Sequence, residues 1–329
     1  MTGTDAILSV RELTTVSRTR GGDLPIVKRV SFDVSPGEAV ALVGESGSGK
    51  SLTMLSVIGL LPDPVVLVAG GEVIFEGTDL LTAGEKHRRS VRGARMAMVY
   101  QDPMTSLNPL MRIGDQISEG LRAHGIPKAH AHRRTVEALK EVGIPKPERA
   151  VRAFPHEFSG GMRQRAMIAM ALTMSPRLLI ADEPTTALDV TIQEQIISLV
   201  KRLQEDRELA VVWVTHDLGV VARLAQRVMV MYAGHIVEQG PTERVFRAPE
   251  HPYTDMLLGT MPPLQGTERP PLLQIEGTPP DPGSVPSGCP FRTRCPQAVD
   301  RCAEEMPPLT ERGGGAAAAC WVPPERWES

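Results

Sequence analysis

The stretch GESGSGKS, Gly44 to Ser51, sets glycines, hydroxyls and a lysine in the spacing G-x-x-x-x-G-K-[ST]. That spacing suits a polyphosphate. Backbone N–H groups freed by Gly44, Gly47 and Gly49, with Glu45, Ser46 and Ser48 between them, can cradle phosphate oxygens at a helix start. Lys50 brings a compact positive charge to the outer phosphates, and the Ser51 hydroxyl can ligate Mg2+. A second pair, Asp182 and Glu183, closes an apolar run. An aspartate there can hold the metal, and its neighbour can orient or deprotonate an attacking water. Alone, the pair reads equally well as a solvated strand end; beside a phosphate loop it reads as chemistry. His216 closes another apolar run. A neutral imidazole there can hydrogen-bond a terminal phosphate oxygen, although a lone histidine at a strand end is more often structural. FSGGMRQR, Phe158 to Arg165, places Ser159, Gly160, Gly161 and Met162 at a second helix start. This is either a plain capped helix or another anion site. If the first loop already wraps its own nucleotide, the second start needs another phosphate, which a two-chain sandwich would supply.

The four cysteines all lie late in the chain, at Cys289, Cys295, Cys302 and Cys320. Their spacing, C-x5-C-x6-C-x17-C, lacks the C-x2-C or C-x4-C knuckles usual in structural zinc sites. Four thiolates with Pro290 and Pro296 directly after two of them suit a [4Fe–4S] cluster, with zinc, disulfides or free thiols as alternatives. The tail is poor in apolar residues, so ligation would contribute folding energy that burial does not.

These groups need elements to position them. AVALVG (39–44), RLLIAD (177–182) and AVVWVTHD (210–217) are apolar runs without alternation, as expected of strands covered on both faces. Each ends in one of the polar sets. Ligands of open α/β sheets sit beyond the carboxyl ends of strands, so the three sets point to one site. From about Gly114 to Met174 apolar residues recur at helical spacing, which predicts a helical insert. From Met261 the proline-rich MPPLQGTERPPLLQIEGTPPDPGSVP predicts an extended connection to a small terminal module. GGGAAAA, Gly313 to Ala319, reads as loop.

Composition narrows the partners. The net charge of −3 gives no reason to expect a nucleic acid. The start, MTGTDAILSVREL, lacks the pattern of a secretory signal, and no apolar run approaches the roughly 18 to 20 residues that span a bilayer. The expectation is a cytosolic chain, where thiols stay free or bind metal.

Taken together, the motifs resemble the ATP-binding subunits of ABC transporters. GESGSGKS is similar to the Walker A loop, Gln101 in VYQDP to the Q-loop glutamine and FSGGM to the signature. LLIADEP is similar to Walker B with catalytic Glu183, TALD to the D-loop ending in Asp189, and His216 to the switch histidine. QDPMTSLNP, PHEFSGGMRQR, HPYT and GTPPDPGSVPSGCPFRTRC resemble one branch, the D-type subunits of oligopeptide and dipeptide importers. The resemblance implies an α/β P-loop NTPase core over residues 1–260, with a helical subdomain at about 105–175 and a cysteine-bearing extension over 261–329. It implies ATP and Mg2+, the metal held through Ser51, Gln101 and Asp182, with Glu183 as base aided by Lys50 and His216. Ser159, Gly160, Gly161 and Met162 would act on ATP held by a partner ATPase, a distinct F-type paralogue. Two permeases and an extracytoplasmic substrate-binding protein complete the assembly, on the cytoplasmic face of the membrane, with no nucleic acid. The branch also strengthens the [4Fe–4S] reading of the four cysteines. Nickel chelates or glutathione are alternative cargoes. A permease-free ABC ATPase and an iron–sulfur redox sensor are alternative functions. The family often stacks adenine on an aromatic ahead of the loop; this chain has none before Phe32, and Val16 or a neighbour would pack there instead.

Overall fold

The computed structural model of the chain describes residues 6–102, 106–186, 188–261 and 275–327. Outside them lie residues 103–105 of the segment after Gln101, Ala187 of TALD, and 262–274 of the proline-rich connection. Among the described residues the strands are β1 (Leu8–Thr19), β2 (Gly22–Val34), β3 (Ala39–Val43), β4 (Val66–Phe75), β5 (Thr78–Asp79) and β6 (Met96–Val99). They continue with β7 (Leu178–Asp182), β8 (Ala210–Thr215), β9 (Arg227–Tyr232), β10 (His235–Pro241), β11 (Thr310–Gly313) and β12 (Ala316–Ala318).

Two sheets result. The smaller is antiparallel, in the order β2-β1-β4-β5; the larger runs β11-β12-β10-β9-β3-β8-β7-β6. In the larger sheet β6, β7, β8, β3 and β9 are parallel. The antiparallel β10, β12 and β11 extend it at one end. The three apolar runs are thus the adjacent strands β3, β8 and β7. Val40, Leu42, Ile180, Val212 and Val214 pack toward the antiparallel sheet, and Ala181, Val211 and Trp213 toward the helices on the other face. Burial on both faces explains why the runs show no alternation.

The helices used below are α1 (Lys50–Ile58), α2 (Ile113–Ala123), α3 (Lys128–Glu141), α4 (Gly160–Leu172), α5 (Val190–Arg207) and α6 (Pro252–Gly259). Helices α2, α3 and α4 lie between β6 and β7 in the chain and share a core through Ile113, Ile117, Leu139 and Ile168. No helix among the described residues is long and apolar enough to cross a membrane.

The tail departs from the sequence expectation. GGGAAAA is not a loop: β11 and β12 form a hairpin turned by Gly313, Gly314 and Gly315, all with positive φ. β12 then pairs with β10, Glu238 against Ala318 and Gln239 against Ala317. Alanine suits this seam because there is little room. A Cβ on Gly240 would already stand 2.9 Å from the Ala316 methyl. In its packing the tail agrees with its apolar-poor composition and has little core of its own. Cys289, Phe291 and Cys302 join one apolar cluster with Tyr232, Val237, Val245 and Tyr253.

Candidate nucleotide-binding site

The polar ends of β3, β7 and β8 converge on one cavity of about 560 Å³, whose lining includes Ser46, Gly47, Gly49, Lys50, Ser51 and Gln101 with Glu183 and His216. Its floor is the loop between β3 and α1. Gly44 has φ +151° and lies so close to β9 that a Cβ would fall 2.2 Å from the Met231 carbonyl oxygen. Gly49 caps α1 at φ +105°, and α1 has no acidic residue in its first turn, so its N-terminal N–H groups remain favourable to an anion.

Lys50 is buried and its Nζ donates to the carbonyls of Gly44 (2.8 Å) and Glu45 (3.0 Å). Burial lowers its pKa, while the charges of Glu183, Asp182 and Glu45 act to restore it. Ser51 Oγ donates to Asp182 Oδ1 at 2.9 Å. Burial raises the Asp182 pKa above the usual carboxylate value, opposed by the Ser51 hydrogen bond and Lys50. The two oxygens of Ser51 and Asp182 suit Mg2+, which keeps most of its ligands as water and phosphate oxygens. Among the described residues no group of three or more His, Cys, Asp or Glu side chains is arranged to hold a metal ion by itself.

Glu183 is held from three sides. Its Oε2 accepts from Gln101 Nε2 at 3.1 Å and from Thr186 Oγ1 at 2.9 Å, and its Oε1 lies 3.3 Å from His216 Nδ1. Its backbone has φ +45°, a region sparsely populated by residues other than glycine, and its N–H is tied to the Val214 carbonyl at 2.9 Å. The tight turn aims the carboxylate back across the end of the sheet. Asp217, next to His216, caps its own helix through the N–H groups of Gly219 and Val220 and accepts from Gln193 Nε2 at 2.8 Å. This fixes the histidine's loop against α5.

Other expected residues stand apart from this cavity. Ser159 caps α4 by accepting from the Met162 N–H at 3.3 Å, and Ser159 and Gly160 are exposed. Gly161 sits where a Cβ would meet Ile192 of α5 at 2.7 Å. None of Ser159 to Met162 lines the cavity. Asp189 caps α5 through the Ile192 N–H at 2.9 Å. The Glu45 carboxylate is gripped by Arg294 of the tail. Ser48 is buried, with its hydroxyl unpaired.

Val16 does not serve as the base platform; it is 4% exposed inside β1, between Pro25 and Leu67. Ile26 lines the cavity instead. The TALD match begins at Thr186 but gives it no role beside Glu183, where its hydroxyl stands; nothing local in the sequence marks Ile26.

A carboxylate held by Gln101, Thr186 and His216 beside a glycine-rich loop is the arrangement expected of a nucleoside triphosphatase, and the helical insert between β6 and β7 is the one expected of ABC ATPases. The ABC transporter family pattern matches residues 27–186, and that of the oligopeptide/dipeptide transporter C-terminal region matches residues 237–302. The oligopeptide transport ATP-binding protein OppD of Bacillus subtilis is 50% identical over 304 residues, covering 92% of this chain and 85% of that protein. The dipeptide transport ATP-binding protein DppD of Escherichia coli is 45% identical over 320 residues, covering 97% of each. Among solved structures, the dimeric ATP-binding cassette MJ0796 bound to ADP and Pi superposes with a TM-score of 0.64 at 27% identity, over 71% of this chain and 98% of that one. The chain belongs to the ATP-binding proteins of oligopeptide and dipeptide ABC transporters.

Proposed function

We propose that this chain is the ATP-hydrolysing motor subunit of an importer for oligopeptides or dipeptides. The observation that carries the reading is the division of the site. Lys50, Ser51 and a clamped Glu183 line one cavity, with Asp182 hydrogen-bonded to Ser51, while no residue of the Ser159–Met162 helix start lines it. Two such chains, closed head to tail, would each complete the other's site.

ATP would lie with its phosphates on the loop from Gly44 to Ser51 and its base toward Ile26. Ser51, Asp182 and Gln101 would hold Mg2+, which would supply charge neutralisation for the outer phosphates. The Gln101 amide can offer its Oε1 to the metal while its Nε2 holds Glu183 Oε2. Glu183 would accept a proton from water, with Thr186 on Oε2 and His216 beside Oε1. Lys50 would stabilise charge developing on the phosphoryl oxygens. In the partner's site, Ser159, Gly160, Gly161 and Met162 supply the helix-start donors, and Asp189 lies at the seam.

The partner we favour is a distinct F-type paralogue. A groove of about 260 Å³ lined by Leu60, Met98, Tyr100, Leu121 and Met170, next to Gln101, suits an apolar helix of a permease. Movement there would reach Glu183 through the Gln101 side chain. Two permeases and an extracytoplasmic binding protein would complete the importer, with this subunit on its cytoplasmic face.

For the tail we propose a [4Fe–4S] cluster on Cys289, Cys295, Cys302 and Cys320. All four are free thiols, and each lies close enough to the other three for their charges to interact. The Val322 N–H donates to Cys320 Sγ at 3.4 Å, as suits a thiolate ligand, while burial raises the pKa of Cys289, Cys295 and Cys320, a shift that a bound cation's charge would offset. Among the described residues no group of three or more such side chains stands at ligating distance, so cluster assembly would have to draw the four thiols together. Their spacing lacks the knuckles of a structural zinc site, which favours the cluster over zinc. Its role would be structural.

The Glu183→Gln variant of the assembled transporter tests the motor reading. It should bind ATP and lose turnover by about 10²–10⁴. Full turnover in that complex would refute the assignment.

A further inference from the structure

The phosphate loop is tied to the cysteine-bearing tail by one residue, Glu45. Its N–H donates to Tyr253 Oη at 2.9 Å, and its carbonyl receives Lys50 Nζ. Its carboxylate turns away from the cavity and is gripped at both oxygens by Arg294, Nη1 to Oε2 at 2.7 Å and Nη2 to Oε1 at 3.0 Å. Arg294 directly precedes Cys295, and its side chain is only 4% exposed. Its other hydrogen bonds go from Nε to the Glu276 carbonyl (2.9 Å), from Nη1 to Tyr232 Oη (3.3 Å), and from Nη2 to the carbonyls of Ile275 (3.3 Å) and Gly277 (3.4 Å). The guanidinium lies 5.9 Å from the Tyr232 ring centroid and 6.0 Å from that of Phe291. A planar fork with all its donors engaged is a fixed object, unlike a surface ion pair.

A carboxylate within a loop that must accept a polyphosphate is unfavourable for that ligand. Its charge reaches the site, since Glu45 acts electrostatically on Lys50. The bidentate arginine cancels that charge and points the carboxylate outward. We propose that Arg294 is a positioning residue for ATP: by neutralising and aiming Glu45, the cysteine-bearing tail sets the nucleotide affinity of the loop from outside the cassette. The inference rests on the nucleotide-site reading above. It assigns a function in the motor to a segment that contributes no residue to the cavity lining. It also gives Tyr253 a second role, since its hydroxyl holds the main chain of the residue whose side chain Arg294 holds.

The test is MgATP binding to the full-length chain, followed by titration calorimetry. Arg294→Met should weaken binding by about tenfold, the effect of one uncompensated charge close to the phosphates. Adding Glu45→Gln to that variant should restore affinity to within about twofold of the parent, because the charge that needed cancelling is gone. Glu45→Gln alone keeps Arg294 packed and should tighten binding several-fold, which decides the matter even if Arg294→Met does not fold. Unchanged affinity in Arg294→Met, failure of the second substitution to rescue it, or no tightening in Glu45→Gln would each overturn the proposal. If the parent chain itself fails to bind MgATP, the site reading falls rather than this inference.

Discussion

Replacing Phe291 with alanine should release the tail from the cassette without unfolding the cassette. The ring is fully buried, with its centroid 5.2 Å from Tyr232, 5.3 Å from Tyr253 and 6.0 Å from His251. Truncation to alanine removes about 100 Å² of apolar burial, worth about 2.5 kcal/mol. Two lost aromatic contacts with the tyrosines add about 1.5 kcal/mol. The total, about 4 kcal/mol, falls within the usual range for phenylalanine in a core. Because the loss is confined to the tail's side of the seam, it should lower the cost of local opening there by that amount. Amide exchange over residues 288–304 should accelerate by about 10²–10³, while β3 and β8 keep their protection. Hydrogen-exchange mass spectrometry of the full chain resolves these segments. Unchanged exchange over 288–304 would refute the claim that aromatic packing seats the tail.

Iron and acid-labile sulfide in anaerobically purified protein should each approach four per chain; stoichiometric zinc without iron would refute the cluster. His251 is buried and neutral, with its pKa lowered to about 3 by burial. Its unfolded form takes up a proton below about pH 6.5, so stability should fall as pH drops through that value, by about 2 kcal/mol at pH 5. His251→Gln should abolish that dependence, read as the difference in unfolding free energy between the two proteins at pH 7 and pH 5. Glu238 accepts from the His251 N–H, and burial raises its pKa to about 7. Its own effect is opposite in sign, stability falling as pH rises from about 4.5 to 7, and it is common to both proteins. A pH-independent difference would refute the assignment.

The catalytic end of the sheet is legible in the sequence because its causes are local. A strand covered on both faces must be apolar throughout, so the runs that became β3, β7 and β8 stand out, each with its polar terminus. The loop before Lys50 is legible for the same reason, since its glycines answer a steric need within eight residues. Ile26 is not legible: it reaches the cavity only because β2 crosses the cassette near Gly49, and a single isoleucine in a strand carries no sign of its neighbour. Arg294 meets Glu45 across 249 residues of sequence, a contact fixed by docking rather than by either local pattern. GGGAAAA was opaque for a different reason. Alanine and glycine have little intrinsic preference for strands, so β12 forms because the β10 edge and a shortage of space select small side chains.

The hairpin that β10 accepts also bears on solubility. An unpaired strand edge is a template for another chain, and β10 would offer one seven residues long beside the buried carboxylate of Glu238. With the hairpin in place the outermost strand is β11, four residues long, carrying Glu311 and Arg312 and ending at Gly313. Short, charged and broken by glycine, it is a poor template. A chain ending before Thr310 would leave the longer edge bare, so the last twenty residues also guard the protein against joining copies of itself.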